Sequence, residues 1–435
     1  MRTDEHAPQL DRLGRMLWDR GLRIEATVLG LDPLRVALVH DWLTGYRGGE
    51  RVLQHLARRY PSADLFTLIH ERGSVPKEIE ARVIRTSPLD RIPGRANHYR
   101  KLLPLFPWAI RRFDFRGYDL VLSTSHAVAK SVRIPPGVAH VAYCFTPMRY
   151  VWDQIDAYLG DGPGRLLARP LVNGLRRFDV RTSGEDSVTR FVAISSDVSD
   201  RIQRHYQRPS RVVPPPVDIS WITPAKAPPE DFYLMVGGFV PYKRESLAIE
   251  AFRGLDRRLV IAGDGPMRKR AERDAPSNVE FVGRITDDRL ADLYRRCRAL
   301  IYPQHEDFGL TAVEAQAAGR PVIGYGRGGL LDTVRPLRPE ASEDSGLPFD
   351  ATGVYFTEQQ PSAIRDAIER FEKVEHRFEP LVLRRWAELF NPARFDEALD
   401  IEIAAARRTA SKALTRTETI DRPAGPSVQD SERAQ

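Results

Sequence analysis

Two cations sit side by side in the run GGFVPYKRE (237–245), Lys243 and Arg244, where a strand-like stretch opens into a helix. A helix start is the positive end of the macrodipole, so adjacent cations there are unfavourable unless a bound polyanion such as a diphosphate offsets them. The chain has eight lysines against 58 arginines, which makes a lysine at this place the more notable. Two solvated surface charges are the competing reading. A second constellation lies in HEDFGLTAVEAQAAGRPV (305–322), where Glu306 and Glu314 are separated by seven residues. Thr311-x-x-Glu314 matches a capping box, which predicts a helix starting at Thr311 and gives Glu314 a structural reason to be there. Capping does not account for Glu306 in the preceding loop, nor for the amides of Gly309, Leu310 and Thr311 that follow Phe308. A carboxylate beside free amides can hold sugar hydroxyls while the amides hold phosphate.

Three further groups stand at strand ends. His126 in STSHAVAK is as readily structural as catalytic. Gly45, Gly48 and Gly49 follow the first strand, where glycine lets a backbone approach phosphate, although on spacing alone a plain tight turn is the better explanation. Arg149 and Asp153 occupy the aromatic-rich loop YCFTPMRYVWD (143–153).

The elements that must position these residues are legible as short apolar runs separated by helices. VALVHDWL (36–43), ADLFTLI (63–69), YDLVLSTS (118–125), AHVAYCF (139–145) and TRFVAIS (189–195) read as strands, with a helix from about Glu50 to Arg59. The alternation restarts after the proline-rich stretch 212–230 with FYLMVGG (232–238), RLVIAG (258–263), VEFVG (279–283), ALIYP (299–303) and PVIGY (321–325). Alternating strands and helices mark a parallel α/β sheet. The same grammar on both sides of a hinge predicts two Rossmann-like domains with parallel sheets facing across a cleft. The expected division is an N-terminal extension at 1–33, a first domain at 34–213, a linker at 214–230 and a second domain at 231–380. C-terminal helices at 381–408 are expected to cross back to the first domain, and a disordered polar tail to occupy 409–435.

Composition narrows the function. With 42% hydrophobic and 29% charged residues, the 435-residue chain is that of a globular protein with a substantial core. Its longest apolar runs fall short of the roughly 20 residues a membrane helix needs. The first stretch, MRTDEHAPQLDRLGRMLWDR, has no apolar core, which predicts no secretory leader. Two cysteines, Cys144 and Cys297, fit a reducing cytosol and cannot form a zinc knuckle alone. The net charge of +7 comes from basic residues interleaved with acids, which is not the stripe of a nucleic-acid binder. The exception is 91–116, where seven basic residues and five aromatics accompany the single acid Asp114. That mixture would suit an anionic membrane surface, and equally a buried helix pair with a solvated arginine face. No Asp-x-Asp, no GxxxxGK[ST] and no GxSxG occurs, so a metal–diphosphate clamp of that type, a P-loop enzyme and an α/β-hydrolase are disfavoured.

Taken in order, HDWLTGYRGGERVL, STSHAVAKSVR, YCFTPMRYVWD, VGGFVPYKRESLAIEAF, IAGDGPM, VEFVGRITDDRLADLY and the Glu306–Glu314 pair resemble the retaining GT-B glycosyltransferases of family 4, in particular bacterial mannosyltransferases. The resemblance runs from about Arg35 to Pro336. It implies a nucleotide-sugar donor, GDP-mannose by subgroup, held by the second domain, with a saccharide or lipid-linked saccharide acceptor on the first. By the same resemblance Glu314 binds ribose and Lys243 the diphosphate, with Arg244 beside it. Glu306 faces the transferred sugar, His126 bonds that sugar from the other domain, and Gly48 and Gly49 close on the phosphates. Gly283 and Arg284 border the base, the amides after Phe308 hold phosphate, and Arg149 and Asp153 are acceptor-side candidates. No cofactor, metal or nucleic acid is expected, and the protein is placed in the cytoplasm at the inner face of the plasma membrane. The chain departs from the family pattern at Gly238, where an arginine is common, and at Phe145, where many relatives carry histidine. Those departures keep open a non-catalytic nucleotide- or glycan-binding subunit, and the shared architecture keeps open a nucleotide-sugar epimerase.

Overall fold

The computed structural model describes residues 34–152, 164–338 and 349–420. The extension 1–33, Asp153 and residues 421–435 lie outside the described residues. Seven strands form the first sheet: β1 (Val36–His40), β2 (Asp64–Thr67), β3 (Ile84–Thr86), β4 (Leu120–Ser125), β5 (Ala139–Cys144), β6 (Arg190–Ala193) and β7 (Ser210–Val212). Their order is β3-β2-β1-β4-β5-β6-β7, and every pairing is parallel. The second sheet contains β8 (Phe232–Val236), β9 (Arg258–Ala262), β10 (Val279–Gly283), β11 (Leu300–Tyr302), β12 (Val322–Tyr325) and β13 (Gly353–Phe356). It is also wholly parallel, in the order β10-β9-β8-β11-β12-β13.

Residue type explains the layout. β1, β4 and β5 are buried along their whole length, as strands covered by helices on both faces must be. Buried side chains above and below each sheet form the cores, and one continuous cluster runs from Leu38 and Val52 in the first lobe to Leu300, Ala312 and Val322 in the second. Cys144 and Cys297 are buried free thiols, one in each lobe.

The proline-rich connection is docked rather than loose. Val213, Val217, Ile219 and Ile222 are buried, and the amides of Val217 and Ala225 donate to Phe390 and Ala318, each at 2.9 Å. Helix Pro392–Ile420 returns to the first lobe, where Phe395 packs edge-on against Tyr143 at 5.5 Å and Arg190 pairs with Glu402 at 2.7 Å. This corrects the expected disorder from Thr409 onward, because the helix continues through that residue to Ile420. Alanines favour the helical backbone, and Ala410 is buried against the first lobe.

One core group gives a stability prediction. His140 on β5 is fully buried, with Nδ1 2.6 Å from the Ser187 carbonyl and Nε2 2.8 Å from the Ser123 hydroxyl. The carbonyl takes the ring proton and the hydroxyl donates to the other nitrogen, so the site fits neutral imidazole. Burial pushes the imidazole down to about 4, against about 6.5 in an unfolded chain. The unfolded state therefore binds the proton first as pH falls. The stabilisation is complete above about pH 6.5 and is lost towards pH 4, amounting to about 2.5 kcal/mol by roughly pH 4.5. Urea unfolding at neutral pH and at about pH 4.5 should show wild type losing that much more stability than His140→Gln; parallel losses would refute the assignment.

Candidate functional site

Each sheet reverses its direction of growth once, between β1 and β4 in the first lobe and between β8 and β11 in the second. Ligands of open parallel sheets bind outside the carboxyl ends of strands at such points. In this chain the two crevices face each other across one cleft.

The first wall is organised by Asp41, the residue after β1. Its carboxylate is fully buried and accepts four backbone amides: His126 at 2.7 Å and Ala127 at 3.0 Å on Oδ2, Val128 and Ala129 at 2.7 Å on Oδ1. The turn after β4 is thereby fixed, and His126 with it, its Nδ1 lying 3.2 Å from Asp41. Trp42 meets the His126 ring edge-on at 4.5 Å. Burial holds the His126 imidazole below its usual value despite the neighbouring Asp41. It therefore faces the cleft as a neutral hydrogen-bonding group.

Gly48 and Gly49 are the first residues of helix Gly48–Arg59, which begins two residues earlier than the sequence reading placed it. A Cβ on Gly48 would stand 3.1 Å from Leu310 of the other lobe, and one on Gly49 3.3 Å from Phe145. Close approach is the reason for glycine at both.

The second wall comes from the loops after β8 and β11. Lys243 ends the short turn Pro241–Lys243 and forms an ion pair with Glu306, whose other oxygen accepts the Tyr302 hydroxyl at 2.5 Å. Burial alone would raise the Glu306 carboxyl, but Lys243 and Tyr302 outweigh it and hold it below the ordinary carboxylate value. Helix Leu310–Ala317 starts behind Gly309, whose φ of 100° is open to glycine and strained for other residues. The amides of Gly309, Leu310 and Thr311 thus stand at a helix N-terminus on the cleft wall.

These parts enclose a cavity of about 480 Å³ lined by His126, Gly48, Gly49, Arg149, Lys243 and Glu306, together with residues 308–311. A neighbouring cavity of about 340 Å³, lined by Tyr46, Arg51, Trp221 and Asp287, meets it over Gly48 and Leu310. Ion pairs tie the lobes across the cleft. Arg51 reaches Glu314 at 3.1 Å, and Arg149 and Arg201 both pair with Asp307. The Ser196 amide donates to Asp332 at 2.7 Å. Among the described residues, no group of three or more His, Cys, Asp or Glu side chains is arranged to hold a metal ion.

The structure corrects one expectation and leaves Arg244, Gly283 and Arg284 outside both cavities. The capping box at Thr311 is not formed. Gly309 is the N-cap, the Thr311 hydroxyl has no partner, and the Glu314 carboxylate bonds Arg51 and Tyr294 instead. Glu314 is buried, which raises its carboxyl above the ordinary value despite Arg51. Arg244 is exposed and lines neither cavity, because its left-handed backbone (φ 56°) turns it away from Lys243. Gly283 and Arg284 likewise line neither cavity; Gly283 sits under Arg268 and accepts the Gly263 amide at 2.8 Å. The sequence reading missed Asp41, Glu50, Arg51, Tyr302 and Asp307. The signal available for the first three was the polar cluster HD…GGER directly after a buried strand.

Two doubly wound lobes with a cleft between their switch points define the GT-B class, and the chain belongs to the GT-B glycosyltransferases of family 4. Residues 46–221 match the family described as Glycosyltransferase Family 4, and residues 223–381 the family described as Glycosyl transferases group 1. The chain is 31% identical over 397 residues to the D-inositol 3-phosphate glycosyltransferase of Salinispora arenicola, covering 77% of this chain and 83% of that one. It is 33% identical over 149 residues to a GDP-mannose-dependent alpha-(1-6)-phosphatidylinositol dimannoside mannosyltransferase of Mycobacterium tuberculosis, covering 34% and 35% of the two chains. Three further curated relatives are matched over only 27% to 48% of their own length. In solved structures the fold is that of Anabaena HepE in complex with UDP, at 13% identity, a TM-score of 0.59 and coverage of 86% and 100%.

Proposed function

We propose that the protein is a retaining hexosyltransferase that moves mannose from GDP-mannose to a saccharide or lipid-linked saccharide acceptor, in cell-surface polysaccharide or glycolipid synthesis. The observation that carries this reading is one cavity shared by His126 of the first lobe and by Lys243, Glu306 and three helix-start amides of the second. Cations and amides suit a departing diphosphate, carboxylate and imidazole suit sugar hydroxyls, and the adjoining cavity beside Arg51 and Glu314 suits the nucleoside. The donor choice draws on the GDP-mannose dependence in the name of the mycobacterial relative.

In this mechanism the bond from the anomeric carbon to the β-phosphate oxygen breaks with its electron pair leaving on phosphate. The acceptor hydroxyl attacks the same face, and its proton passes to the departing phosphate oxygen. Lys243 and the amides stabilise the leaving charge in a closed cleft, where such fixed donors are each worth about 3 kcal/mol of barrier. They supply that field without a metal, so EDTA is expected to leave the rate unchanged. An inner-face membrane location is favoured by the exposed Trp108, with Arg112 stacked 5.1 Å from its ring, and by exposed Leu105. No helix among the described residues is long and apolar enough to cross a membrane.

A thermal-shift series with GDP-, UDP- and ADP-sugars tests the reading, and GDP-mannose should give the largest rise. Stabilisation by none of them would refute it. Binding without product when acceptors are added would indicate a non-catalytic subunit, and donor conversion without any acceptor an epimerase.

A further inference from the structure

The first lobe contributes a carboxylate to the cavity. Glu50, in the first turn of helix Gly48–Arg59, lines the same cavity as His126, Lys243 and Glu306, with its side chain 6% exposed. Its Oε2 accepts the Arg47 amide at 2.9 Å, while Oε1 faces His40 Nε2 at 3.7 Å. His40 is fully buried at the end of β1, with Nδ1 2.7 Å from the Thr124 hydroxyl and Nε2 in no hydrogen bond. A buried imidazole nitrogen without a hydrogen-bond partner, aimed at a carboxylate on a cleft wall, is a costly arrangement unless the carboxylate has work to do there. The capping contact to Arg47 explains one oxygen and leaves the other unexplained.

The charged and titratable groups around Glu50 are His40 at the end of β1, His126 in the turn after β4 and Arg47 at the head of its own helix. Asp41, after β1, and Arg149, after β5, act on His126 beside it. Burial works to raise the Glu50 carboxyl, but the contact with His40 outweighs it, and the group stays below the ordinary carboxylate value. The result is an ionised carboxylate on the first-lobe wall of the cavity that Lys243 and Glu306 line from the second.

Resting on the transferase reading above, we infer that Glu50 is a catalytic carboxylate of the first lobe, whose negative charge stabilises the positive charge that grows on the sugar ring as the diphosphate departs. It forms no bond to the sugar. The bond from carbon to phosphate oxygen breaks, the bond from carbon to acceptor oxygen forms, and the acceptor's proton goes to the phosphate as before. A carboxylate with one oxygen tied to the Arg47 amide is constrained in orientation, which favours this electrostatic role over the covalent intermediate of retaining glycosidases.

The test uses the full chain, GDP-mannose and Glu50→Gln, which keeps the oxygen that caps Arg47 and removes only the charge. Transfer and the slow acceptor-free hydrolysis of GDP-mannose should both fall about 100-fold, as for loss of one transition-state electrostatic contact. The dissociation constant for GDP-mannose should stay within about threefold, with no change in melting temperature. Glu50→Asp, which keeps the charge, should retain at least a tenth of the wild-type rate even if the glutamine variant folds poorly. An unaltered rate in Glu50→Gln overturns the inference alone, as does a loss confined to donor binding or an aspartate variant as slow as glutamine. A glycosyl adduct on Glu50 by mass spectrometry overturns it in favour of double displacement. Wild type that consumes none of the GDP-, UDP- and ADP-sugars overturns the transferase reading and this inference with it.

Discussion

Lys243→Ala should cost about 1000-fold in kcat, the upper end of what a single preorganised electrostatic contact contributes. Two effects combine. The cation that would neutralise the leaving diphosphate is removed, and Glu306 loses the partner that keeps its carboxyl ionised against the pull of burial. Without Lys243 that carboxyl drifts upward and loses the partner that orients it, so one substitution damages both the phosphate and the sugar ends of the site. Glu306→Ala should abolish transfer by a different route, because Lys243 is then left free for phosphate. The two variants should therefore separate in binding. Lys243→Ala weakens nucleoside diphosphate by at least about tenfold, a loss of roughly 1.4 kcal/mol, whereas Glu306→Ala binds it as well as wild type or better. Calorimetric titration with GDP beside steady-state rates reads both quantities, and circular dichroism checks folding. Wild-type turnover in the two variants would remove both residues from the mechanism.

Lys243 and Arg244 also show where sequence reasoning stops. Side by side in the chain, they are indistinguishable by type and equally placed against the dipole. The backbone separates them: Arg244 adopts φ 56° at the head of helix Glu245–Phe252, so one side chain enters the cleft and the other enters solvent. A local pattern could not supply that torsion. Strands with two buried faces were legible because every side chain along them is apolar or enclosed, as in VALVH and LVLSTS. β3 (IRT) and β7 (SRV) were not, since each is a three-residue edge strand with one neighbour and little apolar signal. β13 (GVYF) is no shorter than β2, β6 or β12, which were legible, but it starts at Gly353, 28 positions after β12 ends at Tyr325, and so falls outside the regular alternation. Lys243, Glu306 and residues 308–311 of the second lobe, which line one cavity, were legible together because they lie in two short stretches of chain. On the first lobe, Asp41 and Glu50 went unread because their partners are distant or ambiguous. Asp41 bonds amides 85 to 88 positions away, and Glu50 reads locally as a helix cap, which accounts for one of its oxygens.

That network makes Asp41→Ala strongly damaging to the fold. Four amides that now point at one buried carboxylate would face a methyl group, in a place with no exposure to solvent. A hydrogen bond to a charged group contributes about 1.5–3 kcal/mol, and a buried donor left unmade costs about 1–3 kcal/mol. Relaxation of the turn recovers part of this, so a loss of at least about 4 kcal/mol is expected, in the range reserved for broken buried networks. Asp41→Asn should fall between wild type and alanine, because its one oxygen can accept two of the amides while its NH₂ opposes the others. Function should follow the same order. His126 is carried on the first residue of that turn, and its Nδ1 lies beside the same carboxylate, so each variant displaces the imidazole from the cleft as it loosens the turn. Urea denaturation and transfer rate measured on wild type, asparagine and alanine variants should therefore rank identically. An alanine variant within about 1 kcal/mol of wild type, below the value of a single charged hydrogen bond, would mean that water or another acceptor satisfies the turn and that Asp41 does not set the position of His126.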